Sequence, residues 1–208
     1  MTPSRLVFGL LLLLTSVQLF ADPVTLTFNE LSSRSVNGVS IAGVTFGYTI
    51  NGQASTQATY GATIPGSTAN VQPPALVGST QGILILDFAG ATNTLSFGIA
   101  FISFNALSPG LTVALFDGTL NPINTVNVAT LAANTFTGAL FSISNTQIGR
   151  VVLTFNQTVS TFALDNLSFN AVPEPAALIL LGSGLAVLAA LTKQRKDRKS
   201  TRLNSSHG

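Results

Sequence analysis

Short runs in which apolar and polar residues alternate constrain the fold of this chain more than any other feature. The runs VTLTFNEL, TFGYTI, NTLSFGIAF and RVVLTF each place large apolar side chains at every second position. This period of two is typical of β-strands that bury one face. Gly, Pro, Ser, Thr and Asn separate the runs, and no stretch among them has the period of an amphipathic helix. Residues 22–172 are therefore predicted to form an all-β domain, an antiparallel, jelly-roll-like β-sandwich.

Individual residues refine this prediction. Asn51-Gly52 follows an alternating run and Asp117-Gly118 follows LTVALF, so each pair is a candidate hairpin turn. Residues 82–88 (GILILDF) are apolar at both parities, which indicates a central strand. Tyr48 alternates with apolar residues and is expected to be buried, whereas Tyr60, in the polar stretch QATYGAT, is a candidate for exposure.

The first residues have the organisation of a secretory signal peptide. Arg5 supplies a positive charge, residues 6–20 are largely apolar, and Ala21 is a small residue suited to the position before a cut. We therefore expect a signal peptide at residues 1–21. The alternative is an uncleaved N-terminal anchor, although the apolar stretch is shorter than the roughly 20 residues that span a bilayer. The chain has no cysteine, so neither disulfides nor thiolate metal sites are expected.

The tail at residues 173–199 combines three elements in order. Pro173, Glu174 and Pro175 precede an apolar stretch, which would be about 25 Å long as a helix, the short end of what crosses a bilayer. The stretch runs from Ala176 to Leu191 and includes Leu180, Gly182, Gly184 and Leu188. The basic residues that follow are Lys193, Arg195, Lys196, Arg198 and Lys199, as the positive-inside rule expects of a cytoplasmic flank. This order resembles the PEP-CTERM sorting signal of exported Gram-negative proteins.

The resemblance implies a route and a set of partners. The chain would leave the cytoplasm through the secretion translocon and remain anchored in the inner membrane as a precursor. An integral-membrane exosortase would recognise Pro173, Glu174 and Pro175 and process the protein for the cell surface or extracellular matrix. The alternative is an ordinary, permanent C-terminal anchor. Residues 200–208 (STRLNSSHG) follow the basic cluster and are expected to be non-native sequence, so His207 is not a candidate ligand or base.

The chemistry-bearing residues of the middle region are few. It contains no His, Cys, Lys or Trp, which excludes Ser-His-Asp and Cys-His catalysis within that region. Its charges sum to −3, and most basic residues lie in the tail, so nucleic-acid binding is not expected. A glycosidase would need two carboxylates, and the candidates are Glu30, Asp87, Asp117 and Asp165. The turn best explains Asp117, and Asp87 is interpreted as a residue that ends a strand and caps its loop.

Glu30 and Asp165 form the one pair with a specific hypothesis. Glu30 ends the first predicted strand, and Asp165 lies in the last (FALDNLSF), where the apolar parity changes and a β-bulge is expected. First and last strands of a jelly roll often lie side by side. The pattern is similar to jelly rolls of the sugar-binding-module kind, in which acids from these strands hold a structural Ca²⁺. Calcium needs six to eight oxygens, so backbone carbonyls and Asn29 or Asn166 would have to contribute.

Three functions remain open. The leading interpretation is a non-enzymatic cell-surface or extracellular-matrix protein. The first alternative is a module that binds exopolysaccharide, with Tyr60 as the candidate stacking residue. The second alternative is a glycoside hydrolase.

Overall fold

The computed structural model describes residues 23–64 and 66–170 of the chain. These residues form an all-β domain in which every strand pairing is antiparallel, so the predicted fold class is confirmed. The strands are β1 (Pro23–Leu26), β2 (Arg34–Ser35), β3 (Ser40–Ile41), β4 (Val44–Ile50), β5 (Gln53–Ala54), β6 (Ala58–Ala62), β7 (Ala75–Ser79), β8 (Ile83–Ile102), β9 (Leu111–Phe116), β10 (Pro122–Val128), β11 (Leu131–Ala133), β12 (Phe136–Phe155) and β13 (Thr161–Asn170).

Two strands of 20 residues, β8 and β12, connect the two layers of the sandwich. The first half of β8 pairs with β4 and with the second half of β12, and that half of β12 also pairs with β9. The second half of β8 pairs with the first half of β12 and with β13. The register between β8 and β12 shifts around Ile148, where the two strands pass from one layer to the other. We call the layer with β4, β9 and β10 layer 1, and the layer with β13, β7, β6 and β2 layer 2.

The sequence predicted two strands, at residues 82–88 and 93–101, where the structure has the single strand β8. The linking residues Ala89 to Thr92 are small and belong to neither of the two apolar runs. The strand continues through them although residues 88–91 have no partner in β12 and the register between the two strands shifts there. The predicted central position of GILILDF is confirmed, because β4 and β12 flank it.

The core fills the space between the layers with apolar side chains of alternating parity. Phe97, Ile99 and Phe101 of β8 are buried, as are Val151, Leu153 and Phe155 of β12. The rings of Phe155 and Phe162 stack with centroids 3.8 Å apart and join layer 1 to layer 2. Complete burial of one such ring stabilises the fold by about 1.5–3 kcal/mol. Tyr48 is buried, as predicted.

The turn at Asn51-Gly52 has the conformation that its sequence demands. Asn51 has φ 50° and Gly52 has φ 76°, the left-handed pair of a type I′ turn between β4 and β5. The hairpin predicted at Asp117-Gly118 also forms, between β9 and β10. There the left-handed residue is Leu120, with φ 66°.

Residues 66–74 fold over the outer face of layer 2 and create a second, smaller core. Val71 of this loop is fully buried against Ala75, Ala100 and Ala163. The small side chains of the sheet leave room for the loop to lie close to it. The loop thereby covers part of a sheet face that would otherwise meet solvent.

The predicted ends of the chain lie outside the described residues. This applies to the signal peptide with Ala21, to the tail at residues 173–199 and to residues 200–208. Within residues 23–64 and 66–170, no helix has the length and apolar character needed to cross a membrane.

Candidate functional site

Asp165 lies on the outer face of layer 2, beneath the loop at residues 66–74. It is opposite Gly98 of β8, and the register between β8 and β13 shifts between Asp165 and Ser168. Asn166, with φ 52°, is the left-handed residue of this irregularity. The predicted bulge at Asp165-Asn166 is therefore confirmed, and it explains why the apolar parity changes there. Only 3% of Asp165 is exposed.

The carboxylate of Asp165 fastens the loop to the sheet. The backbone amide of Gln72 donates to Oδ2 at 2.9 Å, and the amide of Asn166 donates to Oδ1 at 2.7 Å. Burial raises the pKa of Asp165, these amides lower it, and the negative charge of Glu30 raises it again, for a net increase. The hydrogen bonds offset part of the cost of burying a charge.

Gly98 permits this close approach. A Cβ atom at Gly98 would lie 1.9 Å from the carbonyl oxygen of Asn70, so any side chain there would push the loop off the sheet. The side-chain amide of Asn166 donates to the same carbonyl at 3.3 Å. Asp165, Asn166 and Gly98 thus form one structural unit with the loop.

Glu30 follows β1 and is exposed. Its Oε1 accepts from the backbone amide of Thr27 at 2.7 Å, and its Oε2 accepts from the hydroxyl of Tyr60 at 2.5 Å. Partial burial raises the pKa of Glu30, but the hydrogen bonds from Tyr60 and Thr27 outweigh it, so the pKa is lowered overall. Burial and the bond to Glu30 raise the pKa of Tyr60.

The predicted exposure of Tyr60 is wrong. Its ring is fully buried against Phe28 and Phe46, with centroids 5.0 and 6.0 Å away. Ala58 and Tyr60 share the core-facing parity of β6, so Tyr60 is buried although its neighbours in the sequence are polar. Tyr60 therefore cannot stack on a sugar.

The structure brings Glu30 and Asp165 into the same region. β1 pairs with β13, as predicted, with Leu26 opposite Leu167. Each carboxylate nevertheless has its own protein partners. Within the described part of the chain, no three His, Cys, Asp or Glu residues are close enough together to hold a metal ion. Asparagine and backbone oxygens would have to complete any calcium site, which stays a prediction.

The interpretation of Asp87 as a strand-ending cap is wrong. Asp87 lies within β8, opposite Arg150 of β12, and the two side chains form an ion pair at 2.5 Å. The hydrogen bond to Asp87 raises the pKa of Arg150. The two side chains are 34% and 41% exposed, so we expect the pair to contribute about 1 kcal/mol or less to stability.

Asp117 organises the hairpin between β9 and β10, as the sequence indicated. Its Oδ1 accepts from the backbone amides of Thr119 and Asn121, both at 2.8 Å. The bonds from Asn121 and Thr119 lower the pKa of Asp117 to about 2. Asp117, Asp87, Glu30 and Asp165 thus each have structural partners in this fold.

Several large apolar residues of layer 2 are exposed, which the sequence pattern did not predict. Ile102, Leu131 and Leu140 are 46%, 78% and 61% exposed, and their strand registers place them on the outer face. Phe104, in the loop after β8, is 74% exposed. Where apolar residues occur at both parities of a strand, the sequence pattern does not show which of the two faces is buried. The exposure of these residues could therefore not be predicted.

Comparison with known proteins identifies the tail. A family model described as the PEP-CTERM protein-sorting motif matches residues 171–196. The chain thus combines a β-sandwich domain with a PEP-CTERM protein-sorting motif. No curated protein matches the sequence.

Several solved structures are similar to the sandwich at low identity. A family 29 carbohydrate-binding module is 8% identical, with a TM-score of 0.38 over 73% of this chain and 89% of its own. A mutant of such a module is 10% identical, with a TM-score of 0.38 over 73% and 92%. The enzymatically active domain of tailspike protein 4 of bacteriophage CBA120 is 15% identical, with a TM-score of 0.37 over 65% and 21%. With TM-scores below 0.5, these similarities assign no ligand to this chain.

Proposed function

We propose that this protein is an exported, non-enzymatic component of the cell surface or extracellular matrix, and that an exosortase processes it at its C-terminal signal. The observation that carries the proposal is the sorting motif at residues 171–196. The precursor is held in the inner membrane of a Gram-negative cell by the apolar stretch Ala176 to Leu191. The basic cluster from Lys193 to Lys199 keeps the end of the chain on the cytoplasmic side.

The sequences before and after Val172 differ, and the difference indicates a separate role for each part. The sandwich is rich in Thr, Ser, Asn and Gln and poor in charge, and it is the part that is delivered. The tail carries the signal that directs the protein to the exosortase. Proline has a fixed φ and disfavours helical backbone at the residue before it, so the order Pro-Glu-Pro suits a protease that binds an extended substrate.

The test replaces Pro173, Glu174 and Pro175 together by alanine in the full chain, expressed in its own host. We expect the variant to keep its tail and to stay in the membrane fraction, while the unaltered protein reaches the surface or the medium. Alanine replacement of Ser142, Ser144 and Gln147, three polar residues of β12, provides a control with an intact signal. Equal processing of the motif variant and the unaltered chain would refute the proposal.

Carbohydrate binding is the second candidate function. The observation that favours it is the ring of Phe104, which is 74% exposed and lies two residues after Ile102, the last residue of β8. Aromatic rings present a flat apolar surface on which a sugar ring can stack. A glycan array with the unaltered protein and Phe104→Ala would test it. Binding that Phe104→Ala abolishes supports this candidate, and an array without any bound glycan counts against it.

A further inference from the structure

The last strand of the sandwich, β13, is held in place up to its final residue. The backbone amide of Asn170 donates to Oγ1 of Thr92 at 3.1 Å, and its side-chain amide donates to Oδ1 of Asn93 at 3.0 Å. Thr92 is only 1% exposed, and its hydroxyl donates in turn to the carbonyl of Thr94 at 2.7 Å. β1 holds the other side of the strand, with Pro23 opposite Asn170. The folded sandwich therefore extends to Asn170.

Very little chain separates this residue from the sorting motif. Only Ala171 and Val172 lie between Asn170 and Pro173 in the sequence. A fully extended chain covers at most about 3.6 Å per residue, so three such steps span at most about 11 Å. An α-helix with its side chains is itself about 10–12 Å across. An enzyme that surrounds the motif must therefore touch the end of the sandwich, unless β13 first separates from its neighbours.

Both ends of the chain that are expected to meet the membrane connect to this end of the sandwich. The predicted signal peptide precedes Pro23, the tail follows Asn170, and these two residues are opposite each other. We define the end surface as Pro23, Asn93 and Asn170. Pro23 and Asn93 are exposed, and Asn170 is half-buried. None of the three is basic, so this surface lacks the side chains that attract anionic lipid headgroups, and its neutral, polar character favours contact with a protein.

We propose that the exosortase docks on the end surface of the folded sandwich while it binds the motif that begins at Pro173. β13 stays paired with β1 and β8 during processing, and the bonds from Asn170 to Thr92 and Asn93 keep the docking surface intact next to the motif. The enzyme thus recognises a folded domain end as well as a short sequence. This inference rests on the proposed sorting function and adds a contact surface for the partner named there.

Photo-crosslinking in the native host tests the contact. A photoreactive benzophenone amino acid replaces Asn93 in the full chain, and in the control it replaces Gln157, an exposed residue near the start of β13. Because β13 has ten residues, its two ends are about 30 Å apart. We expect a product that contains a tagged exosortase from the Asn93 position and none from Gln157. Equal cross-linking at the two positions, or none at Asn93, would overturn the proposal.

A disulfide between β1 and β13 tests whether the strands stay paired. Thr25 and Ser168 are opposite each other, with their hydroxyl oxygens 3.1 Å apart, and the chain has no other cysteine to interfere. Directly opposite residues of an antiparallel pair lie roughly 4.5–5.5 Å apart at Cα, within the range that a disulfide bridges. We expect the variant with Thr25→Cys and Ser168→Cys to be processed in its linked form as fully as Thr25→Cys alone. Linked chains that accumulate as precursor would overturn the proposal, because the strands would then have to separate.

The motif variant distinguishes failure of this inference from failure of the proposed function. If alanine replacement of Pro173, Glu174 and Pro175 leaves processing unchanged, the sorting function itself fails. If that replacement blocks processing while Asn93 gives no cross-linked exosortase, the sorting function stands and the docking surface alone is refuted.

Discussion

At the scale of single residues, the outer face of layer 2 depends on a contact between Gly98 and the loop above it. The carbonyl oxygen of Asn70 occupies the position where a side chain of residue 98 would begin. The carboxylate of Asp165, opposite Gly98, binds the same loop through the amide of Gln72. One residue provides the space and the other provides the attachment.

Gly98→Ala is therefore expected to destabilise the domain strongly. Its Cβ would meet a backbone oxygen at 1.9 Å, and backbone yields less easily than a flexible side chain. We expect a loss of about 3 kcal/mol in the free energy of unfolding, the upper end of typical overpacking costs. The control is Gly118→Ala, because a Cβ there would meet nothing within 4 Å. Equal unfolding midpoints in urea for the two variants would contradict this reading of the contact.

The calcium hypothesis also belongs to this scale. If Glu30 and Asp165 hold Ca²⁺, calorimetric titration of the protein with calcium will show saturable binding, and the melting temperature will rise with calcium concentration. Glu30→Gln should weaken binding, because it removes one charged ligand, whereas Asp87→Asn should leave it unchanged. The absence of both heat and a calcium-dependent rise in melting temperature would end the hypothesis.

At the scale of elements, the hairpin of β9 and β10 depends on the turn that Asp117 organises. Asn121 and Thr119 donate to its ionised carboxylate and lower its pKa to about 2. Because the folded pKa lies below the ordinary value of 3.8, the stabilisation is present above pH 3.8 and disappears as the pH falls towards 2.

Asp117→Ala should therefore lower the melting temperature slightly at pH 7, and the difference from the unaltered protein should narrow near pH 2. Thermal unfolding at several pH values measures this directly. Asp117→Asn keeps an acceptor oxygen but removes the charge. Its melting temperature at pH 7 should lie between those of Asp117→Ala and the unaltered protein. A difference that is the same at pH 7 and pH 2 would show that the charge of Asp117 plays no part.

Some elements of the fold could be predicted from the sequence and others could not. Alternation predicted β1, β4, β9 and β13, because a half-buried strand must present one apolar face. The chemistry of Asn51-Gly52 and the parity change at Asp165 predicted a turn and a bulge, since both are local. The continuity of β8 and the cover of residues 66–74 were not predictable in this way. Both depend on contacts between distant residues, such as Asn70 above Gly98, that leave no periodic pattern.

At the scale of the whole molecule, the chain combines a sandwich with a sorting motif, and each part was recognisable from the sequence by a different property. The sandwich follows from periodicity, and the motif follows from the order of Pro173-Glu174-Pro175, an apolar stretch and a basic cluster. The burial of Tyr60 and the exposure of Phe104 were not recognisable, because side-chain exposure depends on which strands become neighbours.

The intact mass of the protein isolated from its native host tests the central claim most directly. Our account predicts a mass that corresponds to a chain beginning after Ala21 and ending near Pro175, without the apolar stretch. A mass that retains Ala176 to Lys199 would contradict it, since the tail would then be a permanent anchor rather than a sorting signal removed on delivery.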